Sequence, residues 1–71
     1  MTYQEMLDLL GYAGGHGLPV RIVTTDRTEL VGVPTSLDVH VTAHEVFLRP
    51  VGSDDTEIAV SLGAISEVEL I

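Results

Sequence analysis

From Leu18 onward the apolar residues follow a period of two, in runs of five to nine residues separated by turn formers. That period places successive side chains on opposite faces of a strand, so it commits most of the chain to half-buried β-structure. "PVRIVTT" puts Val20, Ile22 and Thr24 on one face and Arg21, Val23 and Thr25 on the other. "TDRTE" is a turn, with Asp26 able to bond its own backbone. "ELVGVPTSL" is a second strand, in which Gly32 suggests a bend or a close backbone approach and Pro34 a bulge or an exposed edge. "HEVFLRPV" is a third strand and "GSDD" the turn after it. "TEIAVSL" is a fourth, with Ile58, Val60 and Leu62 inward. "GAIS" is long enough for one 3₁₀-like turn, and "EVELI" is a short last strand with Val68 and Leu70 inward.

The first residues follow a different period. Thr2 and Glu5 have the spacing of a capping box, and Tyr3, Met6, Leu7 and Leu10 then recur at helical spacing. Gly11 is the expected stop, and "GYAGGHGLP" reads as a loop that leaves His16 solvated. The expected fold is therefore α+β and mainly β: a helix over residues 1–11 and a five-stranded, strongly bent antiparallel small barrel over 18–71. One domain accounts for all 71 residues. The helix would cover an open end of the barrel with its apolar stripe, adding core to a domain of a size that buries only about 60% of its unfolded surface.

Composition narrows the function. Eleven acidic residues face Arg21, Arg27 and Arg49, there is no Lys, and the net charge is −8. Nucleic-acid binding depends on neutralising phosphates with Lys and Arg, so this balance disfavours it, and it disfavours an anionic membrane surface for the same reason. It suits solubility, a basic protein partner, or a halophile's salty cytoplasm. Without Cys there is neither a disulfide nor a thiolate. No apolar run approaches the roughly 18 residues of a membrane span. "MTYQEMLDLL" lacks the basic start of a signal peptide, so a cytoplasmic location is expected.

"GVPTSLDVHVTAHE" gathers the groups that could do chemistry: Asp38, His40, His44 and Glu45. Zinc accepts His and carboxylate ligands. On a straight strand, however, His40 and His44 would stand about 13 Å apart, and only a turn at Val41–Ala43 could bring them together. Ser36, Asp38 and His40 supply the residue types of a hydrolase triad, but no Ser lies in a nucleophile-elbow motif. The expectation is no catalytic residue, no metal site, no cofactor, and no enzyme.

From Gly17 on, the chain resembles the Sm-like family. "GLPVRIVTTDRTELVGVPTSLDVHVT" supplies Gly17, Val20 and Ile22, then Gly32, then Asp38 six residues later, as in the family's first motif. "VSLGAISEV" supplies Val60, Ile65 and Val68 at the spacing of the second. The resemblance implies an N-terminal helix, a bent five-stranded barrel, and assembly through the fourth and fifth strands. It also implies a uridine pocket built from an Asp, an Asn and an Arg. Here those positions hold Asp38, Thr42 and Ser61, and Leu62 replaces the Gly that follows the Arg, so only one pocket residue remains. Rho-binding antiterminators, small acidic proteins of similar layout, are a weaker likeness at the level of fold. The resulting expectation is a binding module that contacts another protein or itself, or else a regulator of RNA metabolism or transcription that acts on a basic partner. Sm-like RNA binding is the third reading. Val23, Val31, Val33 and Phe47 are candidates for an exposed patch, since Leu30, Val46 and Leu48 can supply the inner face of their strands.

Overall fold

The computed structural model describes residues 1–40, 42–53 and 55–71. Its elements are helix α1 (Tyr3–His16), strands β1 (Val20–Thr24), β2 (Glu29–His40), β3 (Ala43–Pro50) and β4 (Ile58–Ser61), the 3₁₀ turn η1 (Leu62–Ala64), and β5 (Ile65–Leu70). All strands pair antiparallel in one sheet of order β4-β3-β2-β1-β5.

The connection between the last two strands explains the shape. Laid flat, β4 and β5 would lie four strand spacings apart, about 19 Å. Only Leu62–Ala64 separate Ser61 from Ile65, and such a segment reaches about 14 Å even when extended. The sheet must curl until its edges approach. Those edges do not pair with each other, so the expected barrel is a strongly bent sheet rather than a ladder closed all round.

β2 absorbs much of this bend. A Cβ on Gly32 would lie 2.7 Å from the Arg49 carbonyl oxygen and 3.2 Å from Pro50 Cα. Only glycine allows β2 and β3 to approach this closely. Just beyond, the β2–β3 register shifts between Pro34 and Ser36. Pro34 has no N–H to offer, and β1 pairs with β2 only as far as Gly32, so the proline and its bulge sit where one side of the strand is already free.

The core lies inside the curl. Val20, Ile22, Val46, Leu48, Val60, Leu62 and Val68 come from the sheet and η1, and Met6, Leu10 and Ala13 from α1. Leu30, Leu37, Ile58 and Ile65 pack around them. Leu70 is a correction: it occupies the inward register opposite Val20 but is 43% exposed, because the strand runs past the end of the core.

The helix also differs from its sequence expectation. Thr2 caps it, receiving the Glu5 N–H, while Glu5 receives the Thr2 N–H at 2.9 Å. It does not stop at Gly11. It continues to His16 and ends in a Schellman arrangement, with Gly17 left-handed (φ 65°) and Leu18 N–H bonded to Ala13 O at 2.9 Å. Burial of Leu10 and Ala13 offsets the glycine penalty, and Gly14 allows the helix against β2, where an added Cβ would sit 3.3 Å from Pro34 O. Tyr3, expected in the core stripe, is 46% exposed. His16 belongs to the last helical turn, where its Nδ1–H donates to Tyr12 O at 2.8 Å and its ring stacks on Tyr12.

The turns follow local chemistry. Asp26 accepts from Thr24 Oγ1 and from Thr28 N–H, which holds its carboxyl below the usual range. After β3 the chain reverses two residues earlier than expected: Ser53 N–H bonds Pro50 O at 3.1 Å, with Gly52 at φ 88°, the arrangement of a type II turn. Asp54 of the expected "GSDD" turn lies outside the described residues, as does Val41 of the expected turn between β2 and β3.

Candidate functional site

Strand register sorts the candidate residues onto faces, because directly paired residues point the same way. Ile22, Leu30, Leu48 and Val68 define the inner face. On the outer face Arg21 pairs with Val31 and Glu69, and Val23 with Glu29 and Glu67. Val33 pairs with Arg49, Phe47 with Ser36 and Ala59, and Glu45 with Asp38 and Ser61.

All four patch candidates are therefore on the outer face. Val23, Val31, Val33 and Phe47 step diagonally across β1, β2 and β3, each within reach of the next as a diagonal or same-strand neighbour. Val31 is 40% exposed, and the other three are half-buried. Val51, absent from the sequence expectation, extends the patch. Its N–H bonds Val31 O and its side chain is 64% exposed. The sequence places a turn at Gly52–Asp55 and keeps Val51 in the strand, whereas the turn spans Pro50–Ser53 and lifts Val51 out of it.

Carboxylates border this row. Arg21 sits between Glu29 and Glu69 and is salt-bridged to both. Its side chain is 41% exposed, so the network is worth at most about 1 kcal/mol. Glu67 lies beside it on β5. Farther along, Asp38 and Glu45 stand directly opposite each other, a like-charge pairing that costs stability in a sheet. Asp38 also accepts the backbone N–H of His40 at 2.9 Å, tying down the end of β2.

The cluster that looked chemical divides between the two faces. Asp38 and His40 point outward, whereas His44 pairs with Val39 and points to the helix side. There His44 Nδ1 meets Tyr3 Oη at 3.4 Å, with the rings stacked at 6.3 Å. His40 Nδ1 is instead 3.1 Å from Thr42 Oγ1. Ser36, Asp38 and His40 do share a face, but the bonds of Asp38 and His40 lead to backbone and to Thr42, so they form no relay. Among the described residues no group of three or more His, Asp or Glu side chains is placed to hold a metal ion.

The three positions corresponding to a uridine pocket fare similarly. Asp38 and Ser61 flank Glu45 across three strands, so a carboxylate occupies the centre of the row, and Thr42 is engaged with His40. A shallow groove of about 200 Å³ runs between α1 and β2, lined by Leu10, Gly11, Gly14, Pro34 and Leu37 among others. It is mostly apolar and, of the candidate residues, is lined by Ser36 alone. Among the described residues no helix is long and apolar enough to cross a membrane.

No protein-family model matches the chain, no curated protein matches it in sequence, and no solved structure matches its fold.

Proposed function

We propose that this protein is a non-enzymatic small-barrel binding module that works by contacting protein. The observation that carries this reading is the outer face of the sheet: the row Val23–Val31–Val33–Phe47, extended by Val51, within a border of Glu29, Glu45, Glu67, Glu69 and Asp38. An apolar row inside a polar border has the make-up of a protein interface. The N-terminal helix and the strand order β4-β3-β2-β1-β5 support the likeness to Sm-like proteins. The acidic border favours protein over the nucleic acid that such barrels would otherwise suggest.

The same border favours, as a second reading, a regulator of RNA metabolism or transcription that acts on a basic protein surface. Arg21 is already engaged by two carboxylates and Arg49, opposite Val33, is the other cation of the face, so Asp38, Glu45 and Glu67 leave it with an excess of negative charge. Complementary charge would speed encounter and choose the partner more than it would tighten the complex.

Two experiments test the reading. Capture from lysate is compared between the native protein and a folded Val31→Asp variant. Proteins retained by the first and lost by the second support the outer face, and equal retention argues against it. Filter binding of U-rich RNA at low salt is expected to be weak. Tight binding would replace the protein-contact reading with an RNA-binding one.

A further inference from the structure

The two free edges of the sheet are chemically unequal. Every strand but one carries charge: Arg21 on β1, Glu29 and Asp38 on β2, Glu45 and Arg49 on β3, Glu67 and Glu69 on β5. The exception is β4, "IAVS", which is also an edge. Proteins usually place charges, prolines or bulges on edge strands to keep them from pairing with other chains. β5 follows that practice with two glutamates in six residues. β4 has none of these devices in a chain of net charge −8. Among the described residues no turn, loop or cap backbone hydrogen bond involves it. The helix packs chiefly on β2 and β5.

We infer that β4 is a self-association edge, which pairs antiparallel with β4 of a second copy to give a two-fold dimer with one continuous ten-stranded sheet. This rests on the protein-contact reading and names one partner for it.

Charge separation selects this pairing over the other two that the edges allow. Joining β5 to β5 with inner faces aligned and Val68 on the axis places Glu67 opposite Glu69 of the second copy, about 5 Å apart, twice over. Joining β4 to β5 leaves those glutamates two strand spacings, about 10 Å, from Glu45. That is close to the ~8 Å screening length of physiological salt. Joining β4 to β4 puts the nearest acidic strand residues, Glu45 and its counterpart, three spacings or about 14 Å apart. Centred on Val60, the pairing sets Ala59 against Ser61 on the outer face and Ile58 near Leu62 on the inner face. It keeps Glu57, which accepts from Thr35 Oγ1 at 2.8 Å, opposite Gly63 rather than another acid.

A four-residue ladder is a small interface, so the association is weak and concentration-dependent. Light scattering on the full chain across a dilution series is expected to show a mass that rises from 7.6 kDa toward twice that value and no further. Ala59→Lys, at an exposed edge position, is expected to hold the mass at the monomer value throughout, and Glu67→Gln is expected to leave the series unchanged. Should Ala59→Lys not fold, cross-linking gives an independent readout in a chain that has no native cysteine. A variant carrying Ala59→Cys and Ser61→Cys is expected to form covalent dimers on oxidation, and Glu67→Cys is not. A mass of 7.6 kDa at every concentration overturns the inference, as do species larger than two copies or a dimer that Glu67→Gln alters. A purely monomeric result would overturn the β4 pairing alone, because capture by the outer face reads a different surface.

Discussion

The glycines of this chain make opposite demands, and replacing them one at a time with alanine separates the demands by sign. Gly11 lies in the middle of α1, and a Cβ built there meets nothing within 4 Å. Gly11→Ala removes the entropy penalty of an interior helical glycine and is expected to stabilise by roughly 0.5–1 kcal/mol. For a domain of this size that raises Tm by about 2–8 °C. Gly32 is the reverse case. Its Cβ would lie 2.7 Å from the Arg49 carbonyl oxygen and 3.1 Å from the Arg49 carbonyl carbon. Both are backbone atoms of a paired strand, so the overlap can be relieved only by parting β2 from β3 where the sheet bends. Overpacking of this kind costs about 1–3 kcal/mol, which in so small a domain lowers Tm by about 4–24 °C. Gly14, where an added Cβ would lie 3.3 Å from Pro34 O, falls between the two and is expected to change Tm little. Thermal unfolding followed by circular dichroism measures all three variants. A Gly32→Ala protein as stable as its parent would refute the close approach of β2 and β3. A Gly11→Ala protein that melts earlier would refute a helix running through that position.

Further outcomes follow from the caps and charges. Thr2→Ala removes one half of the capping box and is expected to cost about 1 kcal/mol, with faster amide exchange in the first turn of α1. The Glu5 carboxyl is held low chiefly by the Thr2 backbone N–H, and that of Asp26 chiefly by the Thr24 hydroxyl. Both therefore stabilise the fold above their unfolded values near 4.5 and 3.8, and that contribution fades as pH falls through the lowered folded values. Asp26→Asn is expected to flatten the acid limb of stability against pH, and an unchanged limb would count against the turn network. With a net charge of −8, added salt is expected to raise Tm by screening self-repulsion. A Tm that falls with salt would show the Arg21 ion pairs outweighing that repulsion.

The β-part of the fold was legible because its period is strict. Val20 and Ile22, Val46 and Leu48, and Val68 keep to alternate positions of their strands, and each is buried. Gly32 and Pro34 also marked the bend, since each lacks something that an ordinary strand residue has. The helix end was not legible. Gly11 carries the local signature of a stop, and only the packing of Leu10, Ala13 and Gly14 against the sheet overrides it. Leu70 and Tyr3 were misplaced for a related reason: period gives a face but not the point at which the core ends. At the candidate site, sequence spacing put His40 and His44 in one cluster, and pairing with Ala43 and Val39 sends them to opposite faces. The partners of Arg21 were hidden because Glu69 comes from the far end of the chain.

That distance has a kinetic meaning. Ile22 and Val68 are 46 positions apart yet pair directly, and the β1–β5 ladder is what turns a bent ribbon into an enclosed core. Closing so long a loop costs chain entropy before any contact offsets it. The β2–β3 hairpin can form early from near neighbours, whereas capture of β5 is expected to be the slow step, as in other folds dominated by non-local pairing. Until that step, the open side of β1 is available to other chains in addition to the uncharged edge of β4. The interval before β5 docks is therefore when this protein is most exposed to misassembly.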